Sequence, residues 1–122
     1  MKYAALLTNL TEDLEAWDRM SPEEAQAARA KEVPKWEALF AELGPQGVIA
    51  FGAELDSPAT AKTVRVRDGE TIVTDGPYAE TKEQVGGLVE LQVDDLDAAI
   101  AIAARIPVAT RASVELRPVV EH

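Results

Sequence analysis

The sequence predicts an α+β fold built on one antiparallel sheet, with a β-hairpin inserted into a split β-α-β pattern. Three observations predict it. An Asp68-Gly69 turn separates two segments rich in Val, Thr and Ile. Capping signals at Ser21 and at Asp94 or Asp95 announce two helices. Strand-like segments stand near both ends of the chain. The order is β-α-β, hairpin, β-α-β. Without the hairpin this is the split βαβ arrangement of ferredoxin-like domains. At 122 residues the chain is read as one domain, 1–122, long enough to bury a core.

Residues 2–8 read as a buried first strand, apolar on both faces. Residues 11–20 are ambiguous, although Leu14 and Trp17 are spaced for a helical turn. Ser21-Pro22-Glu23-Glu24 is a helix start: Ser21 caps, Pro22 suits the first helical position, and Glu24 completes a capping box. The Ala-rich run to Lys31 favours helix. Pro34 lacks an amide donor and its ring crowds the preceding turn, so a kink or break is expected near Val33, with a second helical piece to Leu43. Val33, Trp36, Phe40 and Leu43 form one apolar stripe, more readily core than a ligand platform. Gly44-Pro45 ends the helix.

Residues 48–55 read as a strand and 57–60 as a turn. In the hairpin, Asp-Gly suits a two-residue loop that needs positive φ. Such a loop sets the register: Arg67 opposes Glu70, Val66 opposes Thr71, Val64 opposes Val73, and Lys62 opposes Asp75. Opposite charges then meet at both ends. Residues 88–93 alternate as a strand. Asp94 or Asp95 caps a helix over 96–106, with Leu96, Ala99, Ala103 and Ile106 as its buried stripe, and Pro107 ends it. Residues 113–117 form a last strand, which Pro118 places at a sheet edge or marks as a strand end. Two helices can cover one sheet face. The other face needs a cover, and a second copy of the chain, packed sheet to sheet, would supply it.

Composition narrows the function classes. The chain has no cysteine, which removes disulfides, thiolate metal sites and cysteine nucleophiles and fits a reducing cytoplasm. The apolar run at 3–7 is too short for a signal-peptide core, and no run approaches a membrane span. With 12 basic and 22 acidic residues the formal net charge is −10. That balance argues against nucleic acid and against an anionic membrane surface as partners.

The stretch Asp75-Gly76-Pro77-Tyr78-Ala79-Glu80-Thr81-Lys82-Glu83, followed by Gly86-Gly87, follows no hydrophobic period. It crowds a phenol, three carboxylates, a lysine and several glycines between two strands, and loops of this make often carry sites. Asp75 is the candidate general base, since partial burial in a cleft would raise its pKa. The competing role for Asp75 is the pair with Lys62 or a turn cap. Gly76, Pro77, Tyr78, Glu80, Lys82 and Glu83 are candidate binding residues. Lys82 could hold an anionic group, or pair with Glu80 or Glu83 at the surface. Gly86-Gly87 entering a strand reads as a bulge rather than a phosphate cradle. No Walker-type or dinucleotide fingerprint is present, so no cofactor is expected. Asp75, Glu80 and Glu83 could offer oxygens to a hard ion such as Mg²⁺, but their spacing matches no calcium loop and no metal is expected.

The motif, read as Asp75-Gly76-Pro77-Tyr78-Ala79-Glu80-Thr81-Lys82-Glu83-Gln84-x-Gly86-Gly87, resembles the signature of the YCII-related family, in its DGPF branch. Supporting segments are Met1-Lys2-Tyr3, 63–69, 94–99, 104–107 and 113–119. The resemblance covers nearly the whole chain. It implies a bacterial, ferredoxin-like protein that forms a dimeric α/β barrel. It also implies a genetic link to extracytoplasmic-function sigma factors. A His–Asp pair in a cleft has been proposed as catalytic in the wider family. This chain departs from that pattern, because its one histidine, His122, is the last residue and reads as a bystander. Lys35 and Trp36 stand where the family's His is expected, and Tyr78 replaces the motif's usual Phe.

Two functional readings follow, with a third beside them. The first in weight is a small-molecule-binding homodimer of the bacterial cytoplasm. The alternative is an enzyme acting on a small anionic or phenolic substrate, with Asp75 as base and Tyr78 and Lys82 orienting or stabilising the anion. The third is a purely structural or regulatory partner in sigma-factor signalling.

Overall fold

The computed structural model describes residues 1–122. Six strands and three α-helices follow in the order β1 (Lys2–Leu10), α1 (Thr11–Asp18), α2 (Pro22–Leu43), β2 (Ile49–Glu54), β3 (Lys62–Arg67), β4 (Glu70–Asp75), β5 (Glu83–Gln92), α3 (Leu96–Ala103) and β6 (Val114–Pro118). Four strands form one antiparallel sheet in the order β2-β5-β1-β6, and β3 pairs with β4 alone. Strands β1 and β2 thus run parallel with β5 between them, and β5 and β6 run parallel across β1. This is the split βαβ layout of a ferredoxin-like α+β fold.

The hairpin has the register its turn demands, from Arg67 opposite Glu70 to Lys62 opposite Asp75. Asp68 and Gly69 take φ of 51° and 76°, the left-handed values that a two-residue loop requires. Helix α2 begins with the capping box: the Glu24 amide donates to Ser21 Oγ (3.1 Å) and the Ser21 amide donates to Glu24 Oε1 (3.2 Å). Asp95, not Asp94, caps α3, accepting from the Ala98 amide at 2.8 Å. Proline suits β6 because that strand lies at the sheet edge.

Several elements correct the sequence reading. Helix α2 runs unbroken through Pro34. Residues 29–35 are all exposed, so water can satisfy the carbonyl that Pro34 leaves without a donor. The side of α2 that enters the core carries Leu39 and Leu43, with Trp36 half-buried, while Val33 and Phe40 lie at its margin, 39% and 38% exposed. Leu96 is likewise exposed, and α3 closes at Ala103, leaving Ile106 buried beyond its end. Residues 11–18 form a full helix, so three helices are present rather than two.

The core lies on the helix side of the sheet. Tyr3, Ala5 and Leu7 of β1 alternate inward, opposite Leu91, Val89 and Gly87 of β5. Leu39, Leu43, Ala99, Ala103 and Ile106 close over them. Small residues at Ala5 and Ala99, both fully buried, let helix and sheet approach closely. The opposite face carries Ala4, Leu6 and Leu88 with no layer over it, and Phe51 of β2 stands 53% exposed.

Arg105, just past α3, ties back to α2 through both carboxylate oxygens of Glu42. The hydrogen bonds from that guanidinium, and then its charge, hold the Glu42 carboxyl below its ordinary range. A depressed folded-state pKa stabilises the fold above the ordinary value of about 4.5, and that contribution disappears as pH falls through the depressed value. Glu42→Gln is therefore expected to lower stability slightly at pH 7 and to converge with wild type in strong acid. Parallel urea titrations across that range check it, and a constant gap at every pH would refute the linkage.

Candidate functional site

The motif begins at the last residue of β4. Asp75 forms an ion pair with Lys62, as the hairpin register requires, and its side chain is 87% exposed. Gly76 adopts φ 90°, an angle that costs a residue with a Cβ. The Gly76 amide donates to the Ala61 carbonyl (2.8 Å), and its own carbonyl accepts from Thr63 Oγ1 (2.8 Å). These two bonds fold the chain back across the base of the hairpin.

From there the loop is held against α1 and β5. Gln84 Nε2 donates to the Ala79 carbonyl and to Thr81 Oγ1, both at 3.3 Å. The Thr11 amide donates to the Lys82 carbonyl (2.8 Å), and the Thr11 hydroxyl donates to the Thr81 carbonyl. Tyr78 projects from this frame, 83% exposed. Glu80 and Lys82 are exposed as well, and Lys82 pairs with neither Glu80 nor Glu83. Gly86 is the extra residue of a bulge, where the β1–β5 register shifts between Leu7 and Thr8. A Cβ there would lie 2.0 Å from Asn9 Nδ2, so the Asn9 side chain would have to swing aside to admit one.

Gly76 belongs to the bonded frame, and the other candidate residues separate into three groups. Asp75, Tyr78, Glu80 and Lys82 face solvent. Glu83 turns to the uncovered face of the sheet, where Oε1 accepts from the hydroxyls of Thr8 and Ser113, each at 3.1 Å. Those two hydroxyls are 3.0 Å apart, and the Ser113 amide donates to Thr8 Oγ1 at 3.0 Å. Pro77 alone, joined by Gln84 and Val85, walls a recess. Across it stands the segment 55–61, and the open cleft between them holds about 260 Å³.

Residues 55–61 keep their shape through local bonds. Asp56 Oδ1 accepts from the Ser57 amide (2.7 Å), and Ser57 Oγ accepts from the Ala59 amide (3.2 Å). Ser57 Oγ also donates to Asp18 Oδ2 at the end of α1 (2.8 Å), and Thr60 Oγ1 donates to the Ser57 carbonyl (2.7 Å). The residues of this segment, with Thr8 and Ser113, were not singled out from the sequence. Ser57-Pro58-Ala59-Thr60 signals a turn and nothing more, and Thr8 meets Ser113 only through the β1–β6 pairing.

A second space lies beneath Trp36 and Phe40, whose rings are 5.8 Å apart. It measures about 10 Å³ and is lined by nine apolar residues, room for one water at most and with no polar partner to hold it. Trp17 is elsewhere, with the Arg29 guanidinium 5.6 Å over its ring. No group of three or more His, Asp or Glu side chains converges in a way that could hold a metal ion. No helix is long and apolar enough to cross a membrane.

Over residues 1–122 the chain matches the family model described as the YCII-related domain. It is also 33% identical over 120 residues to an uncharacterised protein of Rhizobium meliloti (strain 1021). That alignment covers 97% of this chain and 91% of the other.

Proposed function

The chain belongs to the YCII-related family, and from that premise we propose that it is a small-molecule-binding homodimer of a bacterial cytoplasm, in the branch marked by the DGPF signature. The cleft between Pro77 and residues 55–61 is the ligand seat. One observation carries this reading: the motif's bonds to Ala61, Thr63 and Thr11 hold Pro77 and Gln84 against a recess of about 260 Å³. That is somewhat below the ~300 Å³ at which drug-sized pockets begin, so a small metabolite fits it better than a large one. Its walls are already bonded into place, so little ordering cost falls on the ligand. The homodimer is supported by the uncovered sheet face and by a hairpin whose Val64, Val66 and Val73 lie about 60% exposed. A lone two-stranded hairpin is marginal in water, and a partner would bury those valines.

The test is a thermal-shift screen of small metabolites against wild type, Ala61→Phe and Asp75→Asn. A ligand is expected to raise the melting temperature of wild type and Asp75→Asn alike, and to leave Ala61→Phe, with its cleft filled, unmoved. A ligand that loses its effect only in Asp75→Asn would instead favour the exposed motif face and Asp75 as the working carboxylate. Without ligand, Asp75→Asn should cost no more than about 1 kcal/mol, the range for an exposed cross-strand pair.

A further inference from the structure

We propose that the ligand taken by this cleft is a small cationic amphiphile: an ammonium group on an apolar body, received by the carboxylate of Asp56 and the side-chain carbonyl of Gln84. The inference rests on the reading of the cleft as the ligand seat and adds the chemical class of what sits there.

The walls divide by chemistry. Leu55, Pro58, Pro77 and Val85 provide apolar surface for a body. The side-chain donors around them are already committed. Ser57 gives its proton to Asp18, Thr60 gives its proton to the Ser57 carbonyl, and the amide nitrogen of Gln84 serves Ala79 and Thr81. What remains among the side chains is acceptors only, the two strongest on Asp56 and Gln84 beside the Thr60 hydroxyl oxygen. Asp56 uses Oδ1 for the Ser57 amide and keeps Oδ2, and Gln84 keeps Oε1. A ligand that must satisfy acceptors has to bring donors.

Charge selects among donors. No Lys, Arg or His lines the cleft. Of the neighbouring cations, Arg29 is held by both oxygens of Glu54 (2.9 and 3.3 Å), and Lys62 is held by Asp75. Asp56 has no direct ion-pair partner, although the Arg29 charge reaches it from its pair with Glu54, and Asp18 lies one hydrogen bond away through Ser57. A carboxylate or phenolate would enter with no cation on the cleft wall and only the Glu54-bound Arg29 nearby, beside Asp56, on a chain of net charge −10. An ammonium gains charge-assisted bonds and is drawn in by the same field. The anionic ligand class expected from Lys82 finds no support here, because Lys82 does not line the cleft.

The experiment is an amide-resolved NMR titration of the full chain with three probes of one skeleton: benzylamine, benzyl alcohol and benzoate. The variants are Asp56→Asn, Asp94→Asn and Ala61→Phe. Asparagine at 56 keeps an oxygen for the Ser57 amide, so the turn persists while the charge goes. Asp94→Asn removes the same charge at the opposite end of β5. Benzylamine is expected to shift the amides of 55–61, 84 and 85. Its affinity should fall about tenfold or more in Asp56→Asn, as for loss of a charged hydrogen bond, and stay unchanged in Asp94→Asn. Benzoate or benzyl alcohol binding there as well as benzylamine would overturn the ammonium assignment and leave the seat standing, as would equal benzylamine affinity in Asp56→Asn. Shifts with none of the probes, or shifts that persist in Ala61→Phe, would overturn both.

Discussion

Leu91→Ala is expected to lower the free energy of unfolding by about 2–5 kcal/mol, the range for truncating a buried leucine. Leu91 is 1% exposed and is the largest fully buried side chain. It sits on β5 opposite Tyr3 of β1 and Ile49 of β2, and it borders the apolar space under Leu39, Leu43 and Ile106. Both flanking strands bond to β5, so the backbone cannot sink inward to fill a deleted side chain. The cavity persists, which moves the cost toward the upper half of the range. Only 12 of 122 residues are buried, so one core leucine is a large share of the stabilising contacts. Set against a typical total of about 5–15 kcal/mol, the loss should lower the urea midpoint strongly at an unchanged slope. A loss under about 1 kcal/mol would mean that the fold does not depend on the Tyr3–Leu91 layer.

What could be read in the sequence was whatever short-range chemistry decides. The hairpin register follows from the Asp68-Gly69 loop, because a two-residue turn leaves no freedom to slip. The start of α2 follows from Ser21 and Glu24, and the bulge from Gly86-Gly87. Pro34 misled because its cost depends on solvent access to the neighbouring carbonyls, which tertiary placement decides. The stripe on α2 was read as Val33, Trp36, Phe40 and Leu43; Leu43 and Trp36 do pack in the core, but the face is turned so that Leu39 joins them and Val33 and Phe40 lie at its margin. The cleft was illegible for a related reason. It joins the turn at 55–61 to Pro77 and to Gln84 and Val85, three segments brought together only by sheet pairing and the folded motif. The Thr8–Ser113–Glu83 cluster is more remote still, joining residues 30, 75 and 105 apart in sequence. Density of polar residues marked the motif loop as a candidate site, but most of those side chains point outward, while its backbone is held by bonds to Ala61, Thr63 and Thr11.

Leu6→Arg is expected to yield a folded monomer. Leu6 pairs with Leu88 at the middle of the uncovered sheet face, with Ala4 beside it on the same strand and Ala53 opposite Leu88 on β2. In a monomer Leu6 is only half-buried, so an arginine there can carry its charge out to water along its own stem, and circular dichroism should stay native. In a sheet-to-sheet homodimer the same position is covered by the second copy. Each guanidinium would then be covered by the other copy, desolvated and without a carboxylate partner, at a cost of several kcal/mol. Dimer affinity should fall by at least about 100-fold, which moves a stable dimer to monomer at ordinary working concentrations. Salt gives an independent check. Two copies of net charge −10 repel one another, so wild-type association should strengthen as salt screens that repulsion, while Leu6→Arg stays monomeric throughout. Sedimentation velocity of both proteins across a salt series separates the cases. A wild-type monomer at every salt concentration would remove the homodimer. A Leu6→Arg dimer of wild-type affinity would move the interface off this face, toward Val64, Val66 and Val73 of the hairpin, the remaining apolar surface on adjacent strands without a covering layer.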